Sequence, residues 1–137
     1  MANIDIQYKE TREIPREDIL DLYRANRWNC AERPDALYGA LMNSETLISA
    51  WDGDRLIGLA NAISDGHLVV FYPHLLVLPD YQKKGIGISL MARMTDRYKD
   101  FHQQVLISEP EAIGFYEKCG FKKTGGCPGM WIYDVAG

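Results

Sequence analysis

The chain has 137 residues, which is room for one domain with a sizeable core and one site. It is 47% hydrophobic, 25% charged and 11% aromatic, ordinary values for a soluble globular protein that speak against disorder, collagen and coiled coil. The net charge of −4 argues against a module held to nucleic acid or to an anionic membrane by bulk charge. Cys30, Cys119 and Cys127 are odd in number and widely spaced, without a Cys-x-x-Cys pair or a zinc-finger histidine. Neither a disulfide scaffold nor a structural metal is expected. The first residues lack a basic segment followed by an apolar core, and no run reaches the roughly 18 apolar residues of a membrane span. The expectation is a cytoplasmic protein with reduced thiols, residues 1–137 forming a single domain.

Ile4, Ile6 and Tyr8 alternate with polar residues and predict a first, half-buried strand. Pro15, Glu17 and Asp18 then start a helix whose apolar face is Ile19, Leu20, Leu22 and Tyr23. Pro34 and Asp35 open a second, short helix carrying Leu37, Tyr38, Leu41 and Met42. Residues 47–51 and 55–63 form a hairpin about Asp52-Gly53-Asp54. After Asp65-Gly66, residues 67–78 are long enough for one buried central strand. A helix follows residues 79–87, with Leu90, Met91, Met94 and Tyr98 on one face. Residues 104–108 read as a strand, 111–119 as a helix, and Gly120 as its left-handed stop. Residues 121–124 and 130–135 read as closing strands around the loop 125–129. One mixed sheet with helices on both faces follows, an α/β (α+β) fold.

The segment Gln82-Lys83-Lys84-Gly85-Ile86-Gly87 is the most informative. Two glycines between an apolar strand and an amphipathic helix let a ligand approach the backbone, and the helix start offers unpaired amides at its positive end. Such a loop suits phosphate, and Lys83 and Lys84 add charge. It is not a P-loop, because neither glycine is followed by Lys-Ser/Thr, nor a Rossmann fingerprint, because position 90 is Leu. Taken alone, it also fits a solvated turn whose glycines serve geometry.

The run Leu76-Val77-Leu78-Pro79-x-x-Gln82-x-x-Gly85-x-Gly87, followed by Ala112-x-x-Phe115-Tyr116-x-x-x-Gly120-Phe121, closely resembles the Gcn5-related N-acetyltransferase (GNAT) superfamily. The resemblance implies a mostly antiparallel sheet of about six to seven strands, splayed at the central parallel pair, and acetyl-CoA as cosubstrate with no metal. It carries phosphate contacts to Gln82, Lys83, Lys84, Gly85, Ile86, Gly87 and Ile88. Main-chain contacts along the coenzyme arm fall on Leu75, Leu76 and Val77. Tyr116 takes the place of the general acid for the departing thiolate, a role that a phenol of pKa ~10 can fill.

The base is harder to read. Where some members carry a glutamate, this chain has Gln103 and Gln104, so His74, just before the thioester-binding segment, is the candidate. It could equally be a structural strand histidine. Where many members have an asparagine, Glu109 precedes Pro110, and it is either a substrate-steering carboxylate or a helix-start residue. By analogy with the fold, Trp28 and Tyr38 fall in the acceptor groove. The implied activity is acetyl transfer to a primary amine, with a small molecule as acceptor, by direct attack through a tetrahedral intermediate. A peptide N-terminus or lysine is the alternative acceptor, and a non-catalytic CoA-binding regulatory module the alternative class. Neither nucleic acid nor membrane is expected as partner. Family members often pair, so Trp131-Ile132-Tyr133 is either a homodimer surface or a buried closing strand.

Overall fold

The computed structural model describes residues 5–133. Its strands are β1 (Ile6–Lys9), β2 (Thr46–Asp52), β3 (Arg55–Ser64), β4 (Val69–Phe71), β5 (Leu75–Val77) and β6 (Gln103–Val105). The helices are α1 (Arg16–Ala25), α2 (Pro34–Met42), α3 (Ile86–Arg97) and α4 (Ile113–Lys118). The sheet runs β1-β2-β3-β4-β6, with β5 also paired to β3. Every pairing is antiparallel except β4 with β6. One mixed sheet is what the sequence pattern implies, and its six mostly antiparallel strands fall within the six to seven that the family resemblance implies.

The β2–β3 hairpin is the centre of the sheet. Gly53 takes φ +60° at its turn, a conformation that an Asp-Gly pair supplies at low cost. Residues 56–62 of β3 are buried without interruption, so both faces of the sheet are covered. Both α1 and α3 pack on β3. Ile19, Leu20, Leu22 and Tyr23 of α1 and Leu90, Met91 and Met94 of α3 are all buried, as their helical spacing requires. Gly58 lets α3 approach closely, since a Cβ there would stand 3.3 Å from Leu90 Cδ1. At the far end of α2, the Arg12 guanidinium donates to the carbonyls of Met42 (2.9 Å) and Ser44 (2.8 Å), adding to the caps that Asn43 and Ser44 give the helix end.

The strand expected over residues 67–78 is two strands. Phe71 pairs with Ile63 and Leu75 with Ala60, so three residues, Tyr72, Pro73 and His74, oppose two on β3. This is a one-residue bulge, and Pro73 at its centre has no amide to give the ladder. Asn61 bridges it: its amide donates to the His74 carbonyl (3.2 Å) and its side-chain oxygen accepts from the His74 amide (3.0 Å). Beyond the bulge β4 continues along β6 while β5 stays with β3 alone. The edge of β5 that would face residues 106–108 is therefore open, because β6 stops at Val105 instead of running to Ser108. This is the splay.

Three other expectations change. The helix over 111–119 is a 3-10 turn, Pro110–Ala112, followed by a six-residue α4. Ile4 and residues 134–137 lie outside the described residues. Of the closing strands expected over 121–124 and 130–135, the first and the described part of the second, 130–133, have no strand pairing among the described residues. Met130, Trp131, Ile132 and Tyr133 are exposed, Ile132 completely, with Trp131 stacked on Tyr133 at 4.7 Å. All three cysteines are free thiols. Among the described residues no helix is long and apolar enough to cross a membrane.

Gly39 lies inside α2, and a Cβ added there would meet nothing within 4 Å. Gly39→Ala is expected to raise unfolding stability by about 0.5–1 kcal/mol, read from urea denaturation. No change or a loss would mean that α2 needs that glycine for packing.

Candidate active site

The glycine loop is built as its residues suggest, but its two glycines serve different purposes. Gly85 caps α3 at φ +83°, where an added Cβ would meet nothing within 4 Å, so conformation alone requires glycine. Gly87 lies against α4: a Cβ would stand 3.1 Å from Phe115 Cζ. Its missing side chain seats an aromatic ring rather than opening the backbone to a ligand. The first intrahelical bond runs from the Ser89 amide to the Gly85 carbonyl (3.0 Å), and no side chain caps the helix. The amides of Ile86, Gly87 and Ile88 therefore have no helical partner and carry the positive end of a twelve-residue helix. Lys83, at φ +64°, and Lys84 are exposed beside them. Gln82 turns inward, its side-chain amide donating to the Val77 carbonyl (3.0 Å) and to Asn26 Oδ1 (3.2 Å), which ties β5 to the end of α1.

Tyr116 sits on the half-buried face of α4. The helix ends in a Schellman motif: Gly120 has φ +99°, its amide reaches the Glu117 carbonyl (3.1 Å), and the Phe121 amide reaches the Tyr116 carbonyl (3.0 Å). The motif folds Phe121 back onto Tyr116, ring centroids 6.1 Å apart and nearly perpendicular, while Phe115 stands at 5.1 Å on the other side. Burial raises the Tyr116 hydroxyl above its ordinary value, with the neighbouring Cys119 adding to the effect.

The other end of the open edge is aromatic. α1 also ends in a Schellman motif, here with Arg27 at φ +60° in the left-handed position. The Arg27 amide reaches the Arg24 carbonyl (3.0 Å) and the Trp28 amide the Tyr23 carbonyl (3.1 Å). Trp28 is thereby laid edge-on against Tyr23 at 5.6 Å and against His74 at 4.9 Å. Tyr23 and His74 share a hydrogen bond of 2.8 Å between the hydroxyl and Nδ1. Burial pushes the His74 pKa down to about 4 and the Tyr23 hydroxyl well above its usual range, the latter also under the influence of Cys30.

The expected site residues thus fall into two groups. Leu75 to Val77, the glycine loop and His74 lie along one strand and the turn after it, and Trp28 joins His74. Tyr38, on α2, lies under the Arg16 guanidinium at 4.8 Å and makes no ring contact with Trp28 or His74 among the described residues. Glu109 is exposed at the start of the turn before α4. Tyr23 and Asn61 were not among the expected site residues. Asn61 had a signal, being a polar side chain amid the otherwise apolar residues 56–63; Tyr23 had none, since its spacing is that of a core position. Among the described residues no group of three or more His, Cys, Asp or Glu side chains could hold a metal ion.

Comparison with known proteins places this geometry in a family. The model of the acetyltransferase (GNAT) domain matches residues 11–128. An uncharacterized N-acetyltransferase of Gracilaria tenuistipitata var. liui is 35% identical over 58% of this chain and 46% of its own, so the match spans about half of that relative. A glucosamine 6-phosphate N-acetyltransferase of Candida albicans is 28% identical over 91% of this chain and 87% of its own. A GNAT-family acetyltransferase structure from Streptococcus pneumoniae superimposes with a TM-score of 0.84 and 36% identity, covering 96% of this chain and 99% of that one. An aminoglycoside N-acetyltransferase in complex with CoA shares the fold, with a TM-score of 0.72 at 17% identity over 98% and 97% of the two chains. The chain belongs to the GNAT acetyltransferase family.

The low pKa of His74 has a consequence for acid stability. On acidification the unfolded chain protonates this histidine near 6.5 and the folded chain only near 4. The stability is fully present above about 6.5 and is lost as the pH falls toward 4, by about 3 kcal/mol at most. Urea titrations at pH 7.5 and 4.5 are expected to show a smaller acid loss for His74→Gln than for the natural chain; equal losses would contradict the burial of a neutral imidazole.

Proposed function

We propose that the chain is an acetyl-CoA-dependent N-acetyltransferase that transfers an acetyl group to the primary amine of a small molecule. The observation that carries the reading is the open edge of β5, which runs from His74 to the unpaired amides at the start of α3. That edge offers main-chain donors and acceptors to an extended amide-bearing arm, and the amides of Ile86, Gly87 and Ile88, with Lys83 and Lys84, suit its pyrophosphate. The shared fold of the CoA-bound aminoglycoside acetyltransferase supports the same cosubstrate. Leu75, Leu76 and Val77 contribute backbone only, their side chains being committed to the core or its margin. The three free cysteines fit a reducing cytoplasm.

In the reaction the amine nitrogen attacks the thioester carbonyl carbon, the tetrahedral intermediate expels the thiolate, and the ammonium proton leaves to water. Tyr116, a phenol and so protonated near neutral pH, gives its proton to the sulfur and regains one from solvent. Trp28 forms the apolar wall of the acceptor side, with Tyr38 as a further aromatic of the groove, and the exposed Glu109 carboxylate draws a cationic amine. The Candida relative named for a sugar phosphate supports a small-molecule acceptor. The exposed Met130 to Tyr133 segment, which has strand-like sequence and no strand partner among the described residues, supports a homodimer in which a second copy covers it. Sedimentation showing a monomer at micromolar concentration would remove that part of the reading.

Incubation with acetyl-CoA and a panel of primary amines is expected to release free thiol, and its complete absence despite CoA binding would favour a regulatory module. Tyr116→Phe is expected to lower kcat about 100-fold with little change in the KM for acetyl-CoA. An unchanged kcat would refute the acid role. Gly85→Val, forced into a left-handed conformation, is expected to abolish CoA binding by calorimetry while the domain stays folded.

A further inference from the structure

His74 is held at both ends, and the way it is held fixes where its proton sits. Its main chain is bound by Asn61 on β3. Its ring is wedged between Tyr23 and Trp28, with centroids 5.4 and 4.9 Å away. Tyr23 is fully buried, and its hydroxyl has one hydrogen-bond partner among the described residues, His74 Nδ1 at 2.8 Å. A buried phenol that only accepted this bond would leave its own proton without an acceptor. The hydroxyl therefore donates, Nδ1 accepts, and the single imidazole proton resides on Nε2.

Nε2 is the end that faces outward. Among the described residues no buried side-chain nitrogen or oxygen lacks a hydrogen-bond partner, and Nε2 has none, so this atom reaches solvent. It does so one residue before the open edge of β5.

We infer that His74 is a fixed, uncharged Nε2–H donor to an oxygen atom at this end of the cleft, and that Tyr23 is the positioning residue that sets its tautomer. The inference rests on the acetyltransferase reading for the identity of the oxygen. It is either the thioester carbonyl, which gains negative charge during attack, or an oxygen carried by the acceptor amine. Both are proton-free acceptors, and no proton moves to the ring in either case. The base expected from the sequence is thereby replaced by a donor. The titratable groups around the ring are Tyr23 from α1 and Cys30, which acts on Tyr23; both are neutral when protonated, so neither stabilises an imidazolium.

The tautomer can be read without turnover. Long-range 1H–15N correlation spectra of labelled protein between pH 5.5 and 8.5 are expected to show His74 with a bare Nδ1, a protonated Nε2 and no titration. His74→Gln identifies the signal by its loss. In Tyr23→Phe the proton is expected to redistribute between the two nitrogens. An Nδ1–H tautomer in the natural chain, or titration of His74 near 6.5, would overturn the inference. Kinetics with acetyl-CoA and the fastest amine of the panel then locate the oxygen. His74→Ala is expected to cost about tenfold or more, with partial recovery in His74→Gln, which retains an N–H donor. A fall in kcat at constant KM marks the thioester carbonyl, and a rise in the amine KM at constant kcat marks an oxygen on the acceptor. Unchanged kinetics in both variants would refute the donor role. If no amine turns over, the acetyltransferase reading fails and the spectra alone decide the tautomer.

Discussion

The two hydrogen bonds between Asn61 and the backbone of His74 are the constraint on which the cleft depends. A bulge with a proline at its centre leaves backbone groups that the ladder cannot satisfy, and Asn61 supplies one donor and one acceptor at that point. Its remaining donor reaches Ser44 Oγ at 3.0 Å, and Ser44 in turn donates to the Ala40 carbonyl at 2.8 Å. The bend in the sheet is thus tied to the end of α2. With the bend in place, β4 can follow β6 while β5 remains on β3, and the two parallel directions diverge. An apolar residue at position 61 would leave the His74 amide without its acceptor, so this buried polar side chain is a requirement of the fold and of the site together.

The two ends of the cleft are made by the same local device. α1 and α4 each finish in a Schellman motif that brings an aromatic residue back onto a tyrosine one turn earlier, Trp28 onto Tyr23 and Phe121 onto Tyr116. In α4 the left-handed position is glycine, whereas in α1 it is Arg27, which accepts a conformation that non-glycine residues adopt at some cost. The aromatic at the second position beyond the helix supplies the hydrophobic contact of the motif. Side chains that would otherwise swing with their loops are thereby attached to helix ends. The preorganisation of Tyr116 and of the Tyr23–His74 pair follows from chain geometry before any ligand is bound.

Much of this was legible in the residues. The hairpin at Asp52-Gly53, both amphipathic faces and the left-handed Gly120 follow from turn chemistry and period, and the two motifs pointed to the family that comparison then showed. The bulge was not legible, because residues 67–78 form an acceptable apolar strand and Pro73 alone does not say on which side the sheet will open. The closing strands were misjudged for a related reason. Residues 130–133 have the composition of a strand, but composition does not provide a neighbour to pair with, and the described chain has none to offer. Gly87 shows a third limit: from sequence it is the second glycine of a phosphate loop, whereas in space it is the floor under Phe115.

Charge and burial divide the cleft by chemistry. A chain of net charge −4 concentrates backbone amides and two lysines at the start of α3, so an anion is met by local dipoles and charge rather than by the protein as a whole. At the opposite end burial keeps His74 uncharged near neutrality and moves the Tyr23 hydroxyl still further from ionising. A neutral, hydrogen-bonded end suits a reaction in which charge appears only during attack, because fixed dipoles stabilise that charge without having attracted a counter-ion beforehand. In the proposed reaction the ammonium proton of the acceptor leaves through water, because burial makes His74 a weak base.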